Sequence, residues 1–442
     1  MRVLYDISVL GGWRRHGVGR AGIFRVVEQV LLGLQRRPEC SLELCALLSY
    51  PTLDHAIRYV RENGETIKAP VVAPAVNSGW IARQEAFGRE CYDSIQRINE
   101  GIDTRPARLN LLPRSRRKLL LGLARMADAG IRRAGRRNHE AVRKRPADLF
   151  HSPFLQPLPA LAIPRFLTVH DLLPVRFPEY FSGFTATEPG LTKAVLGSLT
   201  PADWMFAISQ ATKDDLCSYR PDLDPKRIFI TPLAADSRFR PCVDPGAIES
   251  ARKRYGLPAG PYILSVATLE PRKNLKRVIR CFARLVREGA VGDLSLVLVG
   301  AKGWGYESMF DELSNSGPVK DRIFVTGYVA DEDLAPIYSA ALAFIYCSLC
   351  EGFGMPPLEA MQCGTPVICS DNTSLPEVVG DAAMLVGATD EDALCHGMWE
   401  MVKNSGLRRT LAAKGLERAK QFSWERCVDK VLEGYRTALS AR

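Results

Sequence analysis

The sequence lacks any long hydrophobic run. Although 46% of its 442 residues are hydrophobic, no stretch approaches the roughly 18 apolar residues of a membrane-spanning helix. The apolar start of the chain is broken by Asp6, too early for a signal peptide. The sequence also has no internal repeat and no low-complexity tract, and its composition excludes a disordered or fibrous protein. These absences predict a soluble, cytoplasmic enzyme of two or three domains.

The twelve cysteines form no metal-binding pattern. The only close pair, Cys347 and Cys350, has no second pair and no nearby histidines to complete a zinc site. Many of the others stand in apolar runs, as Cys369 does, where a thiol behaves as a small hydrophobic side chain. We therefore predict buried free thiols in a reducing compartment.

Acidic residues are scarce in one segment, 105–145. It holds fourteen Arg and Lys residues against Asp128 and Glu140, while the rest of the chain has 45 bases and 47 acids. Within it, residues 114–133 have an apolar centre flanked by arginines, which is typical of an amphipathic helix on anionic lipid. A basic helix packed on its own domain fits equally well. Nucleic-acid binding is disfavoured because aromatic residues are not interleaved with the bases.

The C-terminal half alternates short β-rich runs with helix-length patterns, for example at 275–288 and 331–341. The runs are apolar throughout, as expected for parallel strands buried on both faces. They begin at Tyr262, Leu294, Ile323, Leu342, Pro366 and Ala383.

The N-terminal half repeats this pattern less regularly. A helix is expected from about Gly22 to Leu34, an insertion over 51–145 and a hinge at 240–245. The predicted fold class is α/β, with two Rossmann-like, doubly wound domains (1–240 and 241–423) facing each other across a cleft. The candidate strands of this half are 3–7, 42–48, 166–169, 204–208 and 228–232.

The segment from Glu351 to Gly364 carries the strongest functional signal. Glu351 follows a predicted strand, at the sheet edge where ligands bind in such folds. Gly352 and Gly354 permit a sharp turn close to a ligand, and the two prolines after them suit the first turn of a helix. A glycine loop that leads into a helix N-terminus can bind phosphate. Glu359, expected in the first turn, would lie beside the rest of the ligand.

Other interpretations of the two glutamates stay open at this point. Glu359 could only complement the helix dipole, and Glu351 could be a solvated loop acid. The pair could also be the acid and nucleophile of a glycoside hydrolase. A phosphate-binding loop instead favours a donor activated by a diphosphate.

Two further clusters follow predicted strands. Arg272 and Lys273 could neutralise a diphosphate, since bases at a helix start are otherwise disfavoured. His170 ends the strand 166–169 and would point into the same crevice, although a lone histidine is often structural. The loop with Gly17 and Gly19 lacks a complete dinucleotide-binding pattern and is a weak signal alone.

Together these motifs resemble the retaining GT-B glycosyltransferases of family 4. The resemblance rests on the E-x7-E element from Glu351 to Glu359, on EPRKN at 270–274 and on TVHDLLP at 168–174. It is closest to bacterial mannosyl- and rhamnosyltransferases that build cell-surface polysaccharides. The match is dense over 166–435, loose over 1–50 and absent over 51–145.

The resemblance implies a nucleotide diphosphate sugar as co-substrate, transfer with retention, and no metal or other cofactor. GDP-mannose is the donor that it suggests, and the acceptor would be a glycan or lipid-linked glycan. A lipid-linked acceptor would give a purpose to the contact with the inner face of the membrane that the residues of 105–145 suggest. The loop of Gly17 and Gly19 would face the acceptor, and residues 424–442 would form a helix that crosses back to the first domain. Two other functions stay open: an inactive nucleotide-sugar-binding scaffold, or a glycoside hydrolase.

The resemblance also assigns roles to individual residues. It places His170 and Glu351 at the reacting sugar, Arg272 and Lys273 at the diphosphate, and Glu359 at the ribose. The remaining donor contacts would come from Gly327, Tyr328 and Val329 at the base and from the loop residues Gly352, Phe353, Gly354 and Met355.

Overall fold

The computed structural model describes residues 1–16, 22–47, 50–73, six positions between 83 and 91, 113–181 and 188–441. Gly17 and Gly19, and part of the predicted insertion, lie outside the described residues. The chain forms two compact units. One comprises Met1–Thr168, Ala202–Trp204 and Tyr435–Arg442, and the other Val169–Pro201 and Met205–Gly434. The predicted domain boundary at 240 is not tested by this division and stays a prediction.

Two six-stranded parallel sheets form the framework, which confirms the α/β fold class. The first has the strand order β2-β1-β3-β4-β5-β6. Five of its strands match predicted runs, whereas β3 was not predicted. Its strands are β1 Arg2–Asp6, β2 Ser41–Cys45, β3 Leu149–Ser152, β4 Arg165–Val169, β5 Trp204–Ala207 and β6 Ile228–Ile230.

Strand β3 has only four residues and contains a histidine, so it does not stand out in the sequence as an apolar run. The ring of His151 is buried, with Nδ1 2.6 Å from the Tyr435 hydroxyl and Nε2 2.8 Å from that of Thr168. Since both ring nitrogens have partners, this polar side chain is accommodated in the core.

The second sheet has the order β12-β11-β10-β7-β8-β9, and all six predicted runs form its strands. Side chains from both faces are buried, as in Ile263, Leu264, Leu296 and Val297. The strands are β7 Tyr262–Val266, β8 Ser295–Val299, β9 Ile323–Gly327, β10 Ala343–Tyr346, β11 Val367–Ser370 and β12 Ala383–Val386.

Helices connect most of the strands. The first helices are α1 Ser8–His16, α2 Ile23–Gln35, α3 Tyr50–Glu62, α4 Pro113–Arg143, α5 Leu173–Arg176, α6 Glu188–Ser198, α7 Gln210–Tyr219 and α8 Pro245–Tyr255. They are followed by α9 Leu275–Arg287, α10 Glu307–Ser314, α11 Asp331–Ser339, α12 Met355–Gln362, α13 Leu375–Val379, α14 Glu391–Lys403, α15 Ser405–Ala419 and α16 Trp424–Ser440.

Helix α4 packs one face on the first sheet. Its buried positions Ala134, Asn138 and Val142 recur every four residues, and Asn138 Nδ2 donates a hydrogen bond of 2.7 Å to the carbonyl oxygen of Ala46. On the opposite face, Leu119 and Met126 are exposed among bases, with Met126 72% exposed. The helix therefore packs on the first sheet with one face and exposes basic and apolar side chains on the other.

Among the described residues, none of the helices is long and apolar enough to cross a membrane. All twelve cysteines are free thiols, and all but Cys217 and Cys242 are buried, as their apolar sequence neighbours predict.

Candidate active site

The predicted site residues lie along one edge of the second sheet. The segments that follow β11, β10, β7, β8 and β9 are neighbours there, because parallel strands present their carboxyl ends at the same edge. Strand order reverses between β10 and β7, and ligands bind at such a point in open α/β sheets. Glu351 follows β10, and Arg272 and Lys273 follow β7. The two strongest sequence motifs therefore meet at this switch point.

Glu351 is held between the two cations. Its Oε1 lies 2.6 Å from Lys273 Nζ and its Oε2 lies 2.7 Å from an Arg272 guanidinium nitrogen. Arg272 also pairs with Glu270 at 2.6 Å, and the Tyr346 hydroxyl lies 2.8 Å from both Glu351 Oε1 and Lys273 Nζ. Glu351 is therefore not a solvated loop acid. The cations are not a surface pair either, since their side chains are 13% and 10% exposed.

Charge in this cluster fixes the ionisation of Glu351. Burial alone would raise the pKa of its carboxyl group, but Arg272 and Lys273 outweigh burial and lower the pKa to about 2. Burial would lower the pKa of Arg272, yet the charges of Glu351 and Glu270 raise it. Burial lowers the pKa of Lys273, and the neighbouring Glu351 opposes that shift. Glu351 is thus a carboxylate at neutral pH.

The backbone on either side of Glu351 is fixed by residues that follow β11. The Glu351 N–H donates to the Thr373 hydroxyl at 3.0 Å. The Ser374 hydroxyl lies 2.9 Å from the carbonyl oxygen of Glu351 and 2.6 Å from that of Phe353. Thr373 has a φ of 48°, an unusual conformation for a residue other than glycine. The sequence places these residues at the sheet edge but does not show which backbone groups they hold.

The glycine loop leads into helix α12 as predicted. Gly354, with a φ of 140°, caps the helix, and a Cβ at this position would lie 2.9 Å from Leu375. Because Pro356 and Pro357 have no N–H groups, Gly354 and Met355 supply the backbone donors at the helix start. These are the donors that a phosphate group would use.

The prediction that Glu359 lies in the first turn of α12 is wrong. Helix α12 begins at Met355, so Glu359 lies in the second turn and is buried. Its Oε2 accepts a hydrogen bond of 3.0 Å from the Tyr338 hydroxyl of α11. The helix starts one residue before the two prolines rather than at them, so Glu359 is its fifth residue and lies beyond the first turn.

Gly327 ends β9 at the far end of the same edge, and Tyr328 and Val329 follow it. Gly327 has a φ of 73° and its carbonyl oxygen accepts from the Gly300 N–H at 2.9 Å. Tyr328 is 66% exposed, whereas Val329 is buried. The exposed ring of Tyr328 is thus available to a ligand at this end of the site.

His170 and the glycine loop are in direct contact. A Cβ added to Gly352 would lie 2.5 Å from the His170 carbonyl oxygen and 2.8 Å from Asp171 Cβ, so only glycine fits there. Burial raises the pKa of Asp171, with the charge of Arg272 acting against this shift. The turn that carries His170 therefore rests on the loop that carries Glu351.

Three contributors to the cluster were not assigned roles from the sequence: Glu270, Tyr346 and Ser374. Glu270 stands inside the EPRKN motif, Tyr346 ends β10 and Ser374 follows β11, so their positions at strand ends are the signal that could have found them. Within the described residues there is no group of three or more His, Cys, Asp or Glu side chains that could hold a metal ion.

Comparisons with known proteins agree with this architecture. Residues 248–418 match the model of the glycosyl transferases group 1 family. The chain is 34% identical over 304 residues to O-antigen chain mannosyltransferase B of Escherichia coli, a match that covers 68% of this chain and 77% of the relative. The chain belongs to the group 1 glycosyltransferases. It is an enzyme of the glycosyltransferase class with the GT-B fold.

This glycosyltransferase is also similar to a second mannosyltransferase in sequence and to a solved structure in fold. It is 30% identical over 277 residues to the serotype-specific mannosyltransferase WbdA of Escherichia coli, covering 62% of this chain but only 33% of WbdA. Its structure matches sucrose-phosphate synthase from Thermosynechococcus elongatus with a TM-score of 0.65, at 19% identity and over the full length of both chains. At that identity the likeness extends to the fold alone.

Proposed function

We propose that this glycosyltransferase is a retaining member of family 4 that transfers a hexose or deoxyhexose from a nucleoside diphosphate sugar to a glycan acceptor. The buried cluster of Arg272, Lys273 and Glu351, beside the N-terminus of α12, is the observation that carries the proposal. Two cations and a helix N-terminus suit a diphosphate, while a fixed carboxylate suits sugar hydroxyl groups. GDP-mannose is the proposed donor, and synthesis of a bacterial surface polysaccharide the proposed setting, because the two Escherichia coli relatives named above are mannosyltransferases.

Each residue has a proposed task in this reaction. Arg272, Lys273 and the Gly354 and Met355 N–H groups stabilise the charge that develops on the diphosphate as the bond to the sugar breaks. Glu351 orients the donor sugar and His170 lies on its reacting side. Other donor contacts come from Glu359 at the ribose, from Gly327, Tyr328 and Val329 at the base, and from the backbone of Gly352 and Phe353. The fixed cations would perform the task that a metal ion performs elsewhere, so we propose a metal-independent enzyme.

The hydrolase alternative is weaker on the same geometry. A hydrolase needs one carboxylic acid that is protonated near neutral pH. With its pKa lowered to about 2, Glu351 could only be the ionised partner of such a pair, and its carboxylate is already paired with Arg272 and Lys273. An inactive scaffold would have the same donor site as the enzyme, so only a measurement of turnover separates these two alternatives.

A thermal-shift panel of GDP-, UDP- and dTDP-sugars without metal tests the donor site. At a hundredfold excess over its Kd, a ligand stabilises the protein by about 2.7 kcal/mol. We expect a shift with one base that Lys273→Ala abolishes and that Lys276→Ala, an exposed lysine one residue into α9, retains. If no nucleotide sugar shifts the wild type, the proposed function is wrong.

We also propose that the outward face of α4 binds an anionic membrane, where a lipid-linked acceptor would be presented. Arg132, Arg133 and Arg136 are exposed on it, together with Leu119 and Met126. Bases near an anionic surface contribute about 1 kcal/mol each, and exposed apolar side chains can enter the lipid boundary. On this proposal the enzyme is cytoplasmic and peripheral to the membrane.

A further inference from the structure

Thr212 links two backbone segments of the candidate active site. It is the third residue of α7, is buried, and places its hydroxyl oxygen 3.3 Å from the His170 carbonyl oxygen and 3.4 Å from the Gly352 carbonyl oxygen. One carbonyl belongs to the turn of His170 and the other to the loop that follows Glu351. A single side chain therefore contacts the backbone of both.

The hydrogen-bond inventory of Thr212 fixes where its hydrogen points. Ser209, the N-cap of α7, accepts from the Thr212 N–H at 3.0 Å and donates its own hydroxyl hydrogen to Thr212 Oγ1 at 2.9 Å. A threonine hydroxyl has only one hydrogen to donate. Because Ser209 donates to Thr212 Oγ1, the single Thr212 hydrogen is left for the two carbonyl oxygens, which share it at 3.3 and 3.4 Å.

Helix α7 is itself anchored to the donor side of the site. The Glu377 carboxylate of α13 accepts from the Gln210 N–H at 2.8 Å and from the Ala211 N–H at 3.0 Å. A carboxylate at a helix N-terminus is stabilised by unpaired N–H groups and by the helix dipole. Helix α13 follows directly after Ser374, which contacts the backbone of Glu351. The segment of Ser374 and α13 therefore holds both the backbone of Glu351 and the start of the helix that carries Thr212.

We propose that Thr212 is a positioning residue for sugar transfer, whose hydroxyl sets the turn of His170 at a fixed distance from the donor loop. The inference rests on the proposed function, because His170 matters only if it lies at the reacting sugar. The tight contact at Gly352 prevents the two turns from moving closer together, and the Thr212 hydroxyl prevents them from moving apart. Removing the hydroxyl leaves two buried carbonyl oxygens without this donor and lets the turns separate. Misplacement by about 1 Å can reduce a reaction rate roughly a hundredfold.

The test compares Thr212→Val with Thr212→Ser. Nucleotide affinity is measured as the Kd of GDP, and turnover as release of GDP from GDP-mannose in the presence of a mannose disaccharide. We expect the valine variant to bind GDP with a Kd within about twofold of the wild type and to lose roughly 10- to 100-fold in kcat. The serine variant, which keeps the hydroxyl, should retain kcat within a few fold. A purely structural role would not separate kcat from Kd in this way.

The outcomes distinguish the two proposals. A folded valine variant with the kcat of the wild type overturns the role of Thr212 alone. A wild type that neither binds GDP nor releases it from GDP-mannose overturns the proposed GDP-mannose reaction and this inference with it. If circular dichroism shows that the valine variant is unfolded, Thr212→Ala replaces it, because alanine removes the same hydroxyl without placing a methyl group against the carbonyl oxygens.

Discussion

The ammonium nitrogen of Lys273 lies 2.6 Å from Oε1 of Glu351. The cation expected at the diphosphate and the carboxylate expected at the sugar therefore form one buried ion pair. Such pairs contribute little net stability when complete, because desolvation offsets their attraction. Removal of one partner, however, leaves a buried charge without compensation and lowers the free energy of unfolding. The site can therefore be tested through stability as well as through activity.

Glu351→Gln should destabilise the fold and abolish transfer. The substitution leaves Arg272 and Lys273 buried without their shared countercharge, and breaking a buried pair in this way costs about 3–5 kcal/mol. Urea unfolding of both proteins at pH 7 measures the difference. Glu288→Gln, which removes one partner of the exposed Arg284 pair, serves as the control and should leave stability unchanged within error. Equal stability of wild type and Glu351→Gln would show that the buried cluster is not formed.

The stabilising effect of Glu351 should depend on pH in a defined direction. Its pKa falls from an ordinary value of 4.5 to about 2 in the fold, so the stabilisation is fully present above pH 4.5 and is lost as the pH falls toward 2. We therefore expect the stability difference between wild type and Glu351→Gln to be constant from pH 7 to 5 and to shrink below about pH 4.5. Urea unfolding of both proteins at pH 7, 5 and 4 measures it. A difference that grows on acidification would contradict the assigned ion pair.

Sequence patterns predicted the second sheet almost completely, and the reason is physical. Its strands are buried on both faces and read as continuous apolar runs, so each one stands out from the helices around it. Strand β3 was missed because His151 gives it a polar appearance that the hydroxyls of Thr168 and Tyr435 satisfy only in the folded protein. Periodicity alone cannot show contacts between residues that are distant in sequence.

The candidate site was predicted in part, for a similar reason. Strand ends and the glycine loop place Glu351, Arg272 and Lys273 at one sheet edge, but spacing does not show that they pair with one another. Glu359 lies in the second turn rather than the first, because proline is compatible with several positions in a helix start and the helix begins at Met355. The part played by Thr212 depends on two backbone carbonyl groups, which leave no side-chain pattern in the sequence.

Gly352→Ala should reduce activity far more than an ordinary glycine substitution does. The added Cβ would lie 2.5 Å from the carbonyl oxygen of His170, so the turn or the donor loop must shift. We expect kcat for GDP release from GDP-mannose to fall roughly a hundredfold, since the shift displaces reacting groups by about 1 Å. Gly197→Ala is the matched control, because it lies in α6 with no atom within 4 Å of its added Cβ. An active Gly352→Ala enzyme would mean that residue 352 and the His170 carbonyl oxygen are farther apart than described above.

Charge reversal on α4 tests membrane binding, through the triple variant Arg132→Glu, Arg133→Glu and Arg136→Glu. At about 1 kcal/mol per base, loss of the three bases alone should weaken binding to anionic vesicles roughly a hundredfold, and the three added carboxylates should weaken it further.

Co-sedimentation with phosphatidylglycerol vesicles at low and high salt measures the effect, and high salt should release the wild type because the attraction is electrostatic. The matched control reverses Lys253 in α8, Lys430 in α16 and Lys420, which directly follows α15. All three are exposed, and their reversal changes the net charge equally. Because the control removes the same overall charge, retained binding in it together with loss in the α4 variant would assign the interaction to this face. If the wild type does not bind at low salt, or if both variants lose binding alike, α4 serves only to pack on the first sheet.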